Sequence, residues 1–211
     1  MELRIEEQSR GVRILVGDEV RERRRLLNAL IDIAQANDFN EIMLPSLEPA
    51  AIYIDKAGPE VLSQMYVFPD KKGRSLCLRP EATATIQLLA DKHYKQKKNL
   101  KLWYFERCWR YEKPQEGRYR EFFQFGVEII NPDNPSCREE LLAMAEQMVA
   151  LKTGAYEVAS SVKRGLDYYT EAGFEISVPA LGAQKQVVGG GSYKQGIGFG
   201  LGFDRLMLCN K

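Results

Sequence analysis

Leu100 to Arg110 and Arg120 to Ile130 are two aromatic-rich runs divided by Tyr111 to Tyr119. Trp103, Tyr104, Phe105, Phe122, Phe123 and Phe125 suit a pleated, half-buried surface. Pro114 and Gly117 break regular structure in the divider, so the expectation is two long strands flanking a loop. Loop and flanks carry Arg110, Lys113, Arg118 and Arg120. Guanidinium groups bind phosphate oxygens through paired donors, so several on one hairpin suit a polyphosphate. Phe122 offers a flat ring for a base, and Glu112 an acceptor for an exocyclic amine. Taken alone, the hairpin reads as a nucleotide or nucleic-acid site, with an exposed hairpin of solvated charge as the rival reading.

The flanking sequence reads as alternating helices and strands. Leu26, Leu27, Leu30, Ile33 and Ala34 recur at helical spacing, which predicts a helix capped at Asp18 or a neighbour and ending near Asn37-Asp38. Glu41 to Leu44 reads as a short strand closed by Pro45, and Gly58-Pro59 as a turn. Met65 to Phe68 and Ser75 to Leu78 read as strands joined by Pro69 to Gly73. Pro80 suits the first turn of a helix that carries Ala82, Ile86, Leu89 and Ala90 inward. Asn131 to Pro135 is a loop, and Ser136 caps a helix from Arg138 to about Lys152. The last third is strand-like, punctuated by Gly165, Gly173, Gly182 and Gly189 to Gly191, and Gly196 to Gly202 leads into a final helix at Asp204-Arg205-Leu206. Strands joined by short loops with helices inserted predict a mostly antiparallel sheet flanked by helices.

The 211 residues suit one domain able to bury a core. No apolar run approaches the roughly 18–20 residues that cross a bilayer, and the acidic Met1 to Glu7 is unlike a secretory signal. Cys77, Cys108, Cys137 and Cys209 are scattered, without a C-x-x-C pair or a neighbouring histidine, and read as reduced cytoplasmic thiols rather than a disulfide frame or a metal site. His93, on a Lys-rich helix end, reads as surface. A net charge of +1 suits a small nucleic-acid footprint better than a long one.

The hairpin resembles motif 2 of class II aminoacyl-tRNA synthetases in its histidyl form. Leu78-Arg79-Pro80-Glu81-Ala82-Thr83 is similar to the R-P-E-G-T signature, and Arg164-Gly165-Leu166-Asp167-Tyr168-Tyr169 to the histidyl R-G-L-D-Y-Y segment. Gly200 to Leu206 resembles motif 3, and Asp18 to Pro45 resembles motif 1. The resemblance implies an α+β class II fold with a mostly antiparallel six-stranded sheet flanked by helices. It also implies ATP-dependent activation of histidine with Mg²⁺, transfer to a tRNA acceptor stem, and a homodimer through motif 1. Arg110 would hold the α-phosphate, Arg118 the far end of the triphosphate, Glu112 the adenine amine, and Phe122 with Arg205 the adenine ring. Glu81, Thr83 and Gln124 would surround the amino group of the substrate. Glu128 and Tyr169 would meet the imidazole with Tyr168 close by, and Arg164 would sit between carboxylate and α-phosphate. Lys113 and Gln115 stand where the family reads the acceptor end.

The chain departs from the family at Ala82, where glycine is usual, at Phe123, where histidine is usual, and at Gly190-Gly191-Ser192-Tyr193-Lys194, which stands for G-G-R-Y-D. The inserted helical domain and the anticodon-binding domain have no counterpart, so residues 1–211 are expected to form a single minimal catalytic domain. Two alternatives stay open. One is an adenylating enzyme with an acceptor other than tRNA. The other is a non-catalytic paralogue like the regulatory subunit of ATP phosphoribosyltransferase.

Overall fold

The computed structural model describes residues 9–54, 56, 59–162 and 168–209. Met1 to Glu7, Gly58 and the Arg164 to Asp167 segment, singled out above, lie outside them. In chain order the elements begin with α1 (Asp18–Ala36), β1 (Asn40–Glu41), β2 (Leu47–Pro49), α2 (Ala51–Ile54), α3 (Pro59–Ser63), β3 (Val67–Pro69) and β4 (Ser75–Leu78). They continue with α4 (Thr83–His93), β5 (Leu100–Trp109), β6 (Glu121–Ile130), α5 (Cys137–Ala150), β7 (Glu157–Val162) and β8 (Gly173–Ser177). A 3-10 segment, Pro179–Gln184, leads to β9 (Gln186–Tyr193), β10 (Gly196–Gly202) and α6 (Phe203–Leu208).

The expected hairpin is the spine. β5 and β6 pair antiparallel from Leu100 opposite Ile130 to Trp109 opposite Glu121, without a register shift. The main sheet runs β1-β5-β6-β10-β9-β8-β7. Six of these strands are mutually antiparallel, and the two-residue β1 adds a seventh, parallel to β5. A second sheet, β2-β4-β3, is antiparallel.

Strand alternation divides the residues of β6 between two layers. Phe125, Val127 and Ile129 join one cluster with Leu26, Leu27, Leu30 and Ile33 of α1 and Leu141, Met144 and Met148 of α5. Full burial of each such side chain stabilises by about 1.5–3 kcal/mol relative to exposure. Across the sheet, Ala82, Ile86 and Ala90 pack against Leu102, Tyr104, Ile130 and Tyr193. Ala82, fully buried in that cluster, has its methyl group inside the core layer.

Several local expectations shift. The cap of α1 falls on Gly17, within the expected neighbourhood of Asp18, and Asp18 itself pairs with Arg21. Pro80 is not in the first turn of α4, which starts at Thr83. The Glu81 carboxylate accepts from the Thr83 amide (2.7 Å) and the Ala84 amide (2.9 Å), two N–H groups that a helix start leaves free. Pro59 opens α3, and the strand expected at Glu41 to Leu44 shortens to Asn40–Glu41. Gly189 to Gly191 are no turn; they lie inside β9. Ser136 does precede α5, but its hydroxyl bonds to Asn134 and Glu140 instead of a backbone amide.

Arg79 is fully buried and joins the layers. It donates to Glu106 (2.6 Å), to the Pro45 carbonyl (2.9 Å) and to the Arg107 carbonyl (2.9 Å). Arg79→Ala leaves the Glu106 carboxylate without its cation. Denaturant unfolding followed by circular dichroism is expected to show a loss of about 3–5 kcal/mol.

Candidate functional site

The face of β6 turned from the helical core carries Phe122, Gln124 and Glu128. The Gln124 and Glu128 side chains lie across β10, whose Gly-Ile-Gly-Phe-Gly-Leu-Gly sequence alternates strictly. Ile197, Phe199 and Leu201 enter the core. A Cβ on Gly198 would overlap the Glu128 carboxylate, and one on Gly200 the Gln124 amide. The glycines therefore give two polar side chains room to lie flat on the sheet.

Above this floor opens a cavity of about 480 Å³. Of the site residues expected from sequence, Glu81, Thr83, Arg110, Glu112, Arg118, Phe122, Gln124, Tyr168, Tyr169 and Arg205 line it. Glu128 lies just beneath, 1% exposed. Lys113 and Gln115 are exposed on the hairpin loop and do not line it. Arg164 lies outside the described residues.

One end of the cavity is cationic. Arg110 follows β5, donates to the Pro80 carbonyl (2.9 Å) and lies 5.4 Å from the centre of the Phe122 ring. The loop closes through paired backbone bonds between Gln115 and Arg118, and Gly117 takes the left-handed φ of 72° that this turn requires. Arg118 pairs with Glu112. Arg205, from α6, spends all three guanidinium nitrogens: on the Gly117 carbonyl (2.9 Å), the Gln186 carbonyl (2.9 Å) and the Gln184 side chain (3.1 Å). Burial, then the nearby cations Arg110 and Arg118, pull its pKa down.

The opposite end is built from carboxyls and phenols. Thr83 donates to one Glu128 oxygen (2.7 Å) and Tyr193 to the other (2.8 Å). Burial pushes Glu128 up to about 8, against those two hydrogen bonds, with the Glu81 charge adding to the rise. Burial also raises Glu81, opposed by the Ala84 amide, Arg110 and the Thr83 amide. Tyr168 donates to Glu81 (3.4 Å), and its ring centre lies 4.7 Å from that of Tyr169. Tyr169 forms a backbone bridge to Tyr193.

Two contributors escape a sequence reading as site residues. Asp204 lines the cavity, accepts from the Phe123 amide (2.6 Å) and pairs with Arg13 and with Arg23 (2.8 Å). It thereby ties the segment before α1 to the hairpin. Its only signal in the sequence is its place beside Arg205. Tyr193 stands in the altered Gly190 to Lys194 segment, yet it carries one of the two bonds to Glu128. Among the described residues no group of three or more His, Cys, Asp or Glu converges on a metal position. Cys77, Cys108, Cys137 and Cys209 are free and buried.

Two measurements probe this geometry. Gly198→Ala forces a methyl group against Glu128 and the Val127 carbonyl, so thermal unfolding should report a loss of about 1–3 kcal/mol. Glu128 binds its proton more tightly when folded than at the usual value of 4.5, so its contribution is lost as pH rises from that value through about 8. Glu128→Gln should remove that part of the slope. Stability curves for the variant and the parent that stay parallel from about pH 5 to 9 would contradict the assignment.

A family model described as histidyl-tRNA synthetase matches residues 11–163. The histidine–tRNA ligase of Archaeoglobus fulgidus is 28% identical over 306 residues, taking in 95% of this chain and 75% of the relative. That span exceeds this chain's 211 residues, so part of it has no counterpart here. The apo histidyl-tRNA synthetase of S. aureus superposes with a TM-score of 0.79 at 25% identity, over 96% of this chain and 69% of that one. A Bacillus halodurans protein described as an ATP phosphoribosyltransferase regulatory subunit/histidyl-tRNA synthetase shares the fold, with a TM-score of 0.81 at 16% identity over 98% of this chain and 83% of that one. With the match running from the segment before α1 through the hairpin to the far side of the sheet, this chain belongs to the histidyl-tRNA synthetase family.

Proposed function

We propose that this chain joins ATP to histidine as histidyl-adenylate and passes the histidyl group to a hydroxyl of a tRNA acceptor end, releasing AMP. The observation that carries this reading is the polarity of one cavity. Arg110, Arg118 and Arg205 form a cationic group within it, Glu81, Thr83, Gln124, Tyr168 and Tyr169 line the rest with Glu128 beneath, and the charge of Arg110 acts on both Arg205 and Glu81. Such a cavity suits a molecule with a polyphosphate on one side and an amino group and a polar ring on the other.

A histidine carboxylate oxygen would attack the α-phosphorus, and the bond to the β-phosphate oxygen would break, releasing pyrophosphate. The carboxylate is already ionised at neutral pH, so no general base is needed. Both reactants are anionic, so positioned cations and orientation supply most of the catalysis. Arg110 would hold the α-phosphate, with Arg164 between it and the carboxylate. Phe122 and Arg205 would enclose the adenine. The Glu112–Arg118 pair would open, freeing Glu112 for the adenine amine and Arg118 for the far phosphates. Mg²⁺ would neutralise charge on the triphosphate oxygens, and Glu175, a cavity carboxylate whose charge acts on Arg205, would face it from the cationic side.

Lys113 and Gln115, exposed on the hairpin loop, would meet the acceptor end. Exposed apolar Val20, Met43 and Leu47 support pairing of two copies through the region of α1 and β1. Residues 1–211 would then act as one catalytic domain. Adenylation with a different acceptor is the second reading, favoured by the stretch of the archaeal relative that has no counterpart here.

ATP–pyrophosphate exchange measured with each amino acid tests both readings. Exchange is expected with histidine, and Arg110→Ala should lower it about 10²–10³-fold with the fold intact. Absence of exchange with every amino acid would reject both. Exchange with histidine but no charging of total tRNA would select the second.

A further inference from the structure

Against the backbone of Glu81, and outside the cavity lining, lies a second buried polar cluster. Glu48, 1% exposed, points inward from β2. One of its oxygens accepts from Tyr53 and from Thr85 (2.6 Å). The Tyr53 ring is fully buried, and its hydroxyl also lies 3.2 Å from the Glu81 carbonyl and 3.2 Å from the Thr85 hydroxyl. The other Glu48 oxygen is buried without a hydrogen-bond partner. A buried carboxylate half-satisfied in this way is costly, and tying a helix start to a small sheet does not require one. What the cluster does reach is the backbone of Glu81, whose side chain lines the cavity and caps α4.

We propose that Glu48, acting through Tyr53 and Thr85, is a positioning residue for Glu81 and so sets how well the cavity holds the amino group of its substrate. The proposal rests on the histidine-activating reading for its substrate, but its geometric half stands apart from it. Glu81 is held from three directions. Arg79, two residues before it, is locked to Pro45, Glu106 and Arg107. The Tyr53 hydroxyl, sharing its one hydrogen between Glu48 and the Glu81 carbonyl, steadies that carbonyl, and the Thr83 and Ala84 amides hold the Glu81 carboxylate. Removing the Tyr53 hydroxyl frees the middle of the three. The carboxylate can then swing, and its bonds to the two amides weaken with it.

Tyr53→Phe and Glu48→Gln separate the outcomes, because the amide introduced by Glu48→Gln keeps an oxygen for both donors. In Tyr53→Phe the KM for histidine in pyrophosphate exchange should rise about three- to tenfold, the equivalent of one lost hydrogen bond, with the KM for ATP unchanged. Glu48→Gln should stay close to the parent. Amide hydrogen exchange gives a readout that needs no activity. Thr83 and Ala84 should exchange about three- to tenfold faster in Tyr53→Phe, while the β5–β6 ladder keeps its protection. In a Glu81→Ala background Tyr53→Phe should add nothing at those amides. Unchanged Thr83 and Ala84 exchange would overturn the proposal, as would an equal rise in both KM values. If the parent chain shows no histidine-dependent exchange, the functional reading fails and the amide data alone decide the positioning role.

Discussion

The ion pair between Arg79 and Glu106 is the contact on which the rest of the site depends. Arg79 has no exposed surface, so its charge is tolerable only because the guanidinium meets a carboxylate and two carbonyls. Glu106 in turn accepts from the Leu44 amide (2.6 Å) with its other oxygen. One pair therefore binds the segment after β1, the end of β4 and the middle of β5. The Arg79 backbone repeats the pattern, donating to the Ser46 carbonyl (3.0 Å) and accepting from the Trp109 amide (2.9 Å). Glu81 and Thr83 stand two and four residues past this knot, and their place above β6 follows from it.

The hairpin and the cavity are legible in the sequence for different reasons. The aromatic-rich runs and the Pro114 and Gly117 breaks give β5, loop and β6 from local chemistry alone, whereas the register, Leu100 opposite Ile130 to Trp109 opposite Glu121, comes from the structure. The residues around the cavity come as a set from ordered motifs, because no local rule joins Glu81 to Glu128 across the intervening chain. Gly189 to Gly191 mislead because glycine usually marks a turn. Here glycine is needed inside a strand, where Tyr169 and Phe174 press against the backbone of β9. The strict alternation of Gly196 to Gly202 leaves β10 one bare face, and its use shows only in the structure, where Gln124 and Glu128 lie across it.

Asp204, Tyr193 and Glu48 are invisible as contributors for a common reason. Each acts through partners far away in the chain: Asp204 through Arg13 and Arg23, Tyr193 through Glu128, Glu48 through Thr85. A carboxylate that meets its partners only after the sheet has closed leaves no periodic or local trace. The cap at Glu81 shows the smaller version of this limit. Pro80 suits a first turn, but the helix starts at Thr83, where the Glu81 side chain satisfies two free amides.

The polar groups of the cavity are already engaged with one another. Arg118 holds Glu112, Thr83 and Tyr193 hold Glu128, and two amides with Tyr168 hold Glu81. Any ligand must therefore replace bonds rather than add them, and its net gain is the difference between two nearly balanced sets. That balance favours discrimination over raw affinity. A ligand lacking the right donor at Glu128 or the right anion at Arg118 would break an internal bond and leave a buried group unmatched. A ligand with both restores every bond it breaks, which is how a cavity built from paired charges separates chemically similar ligands.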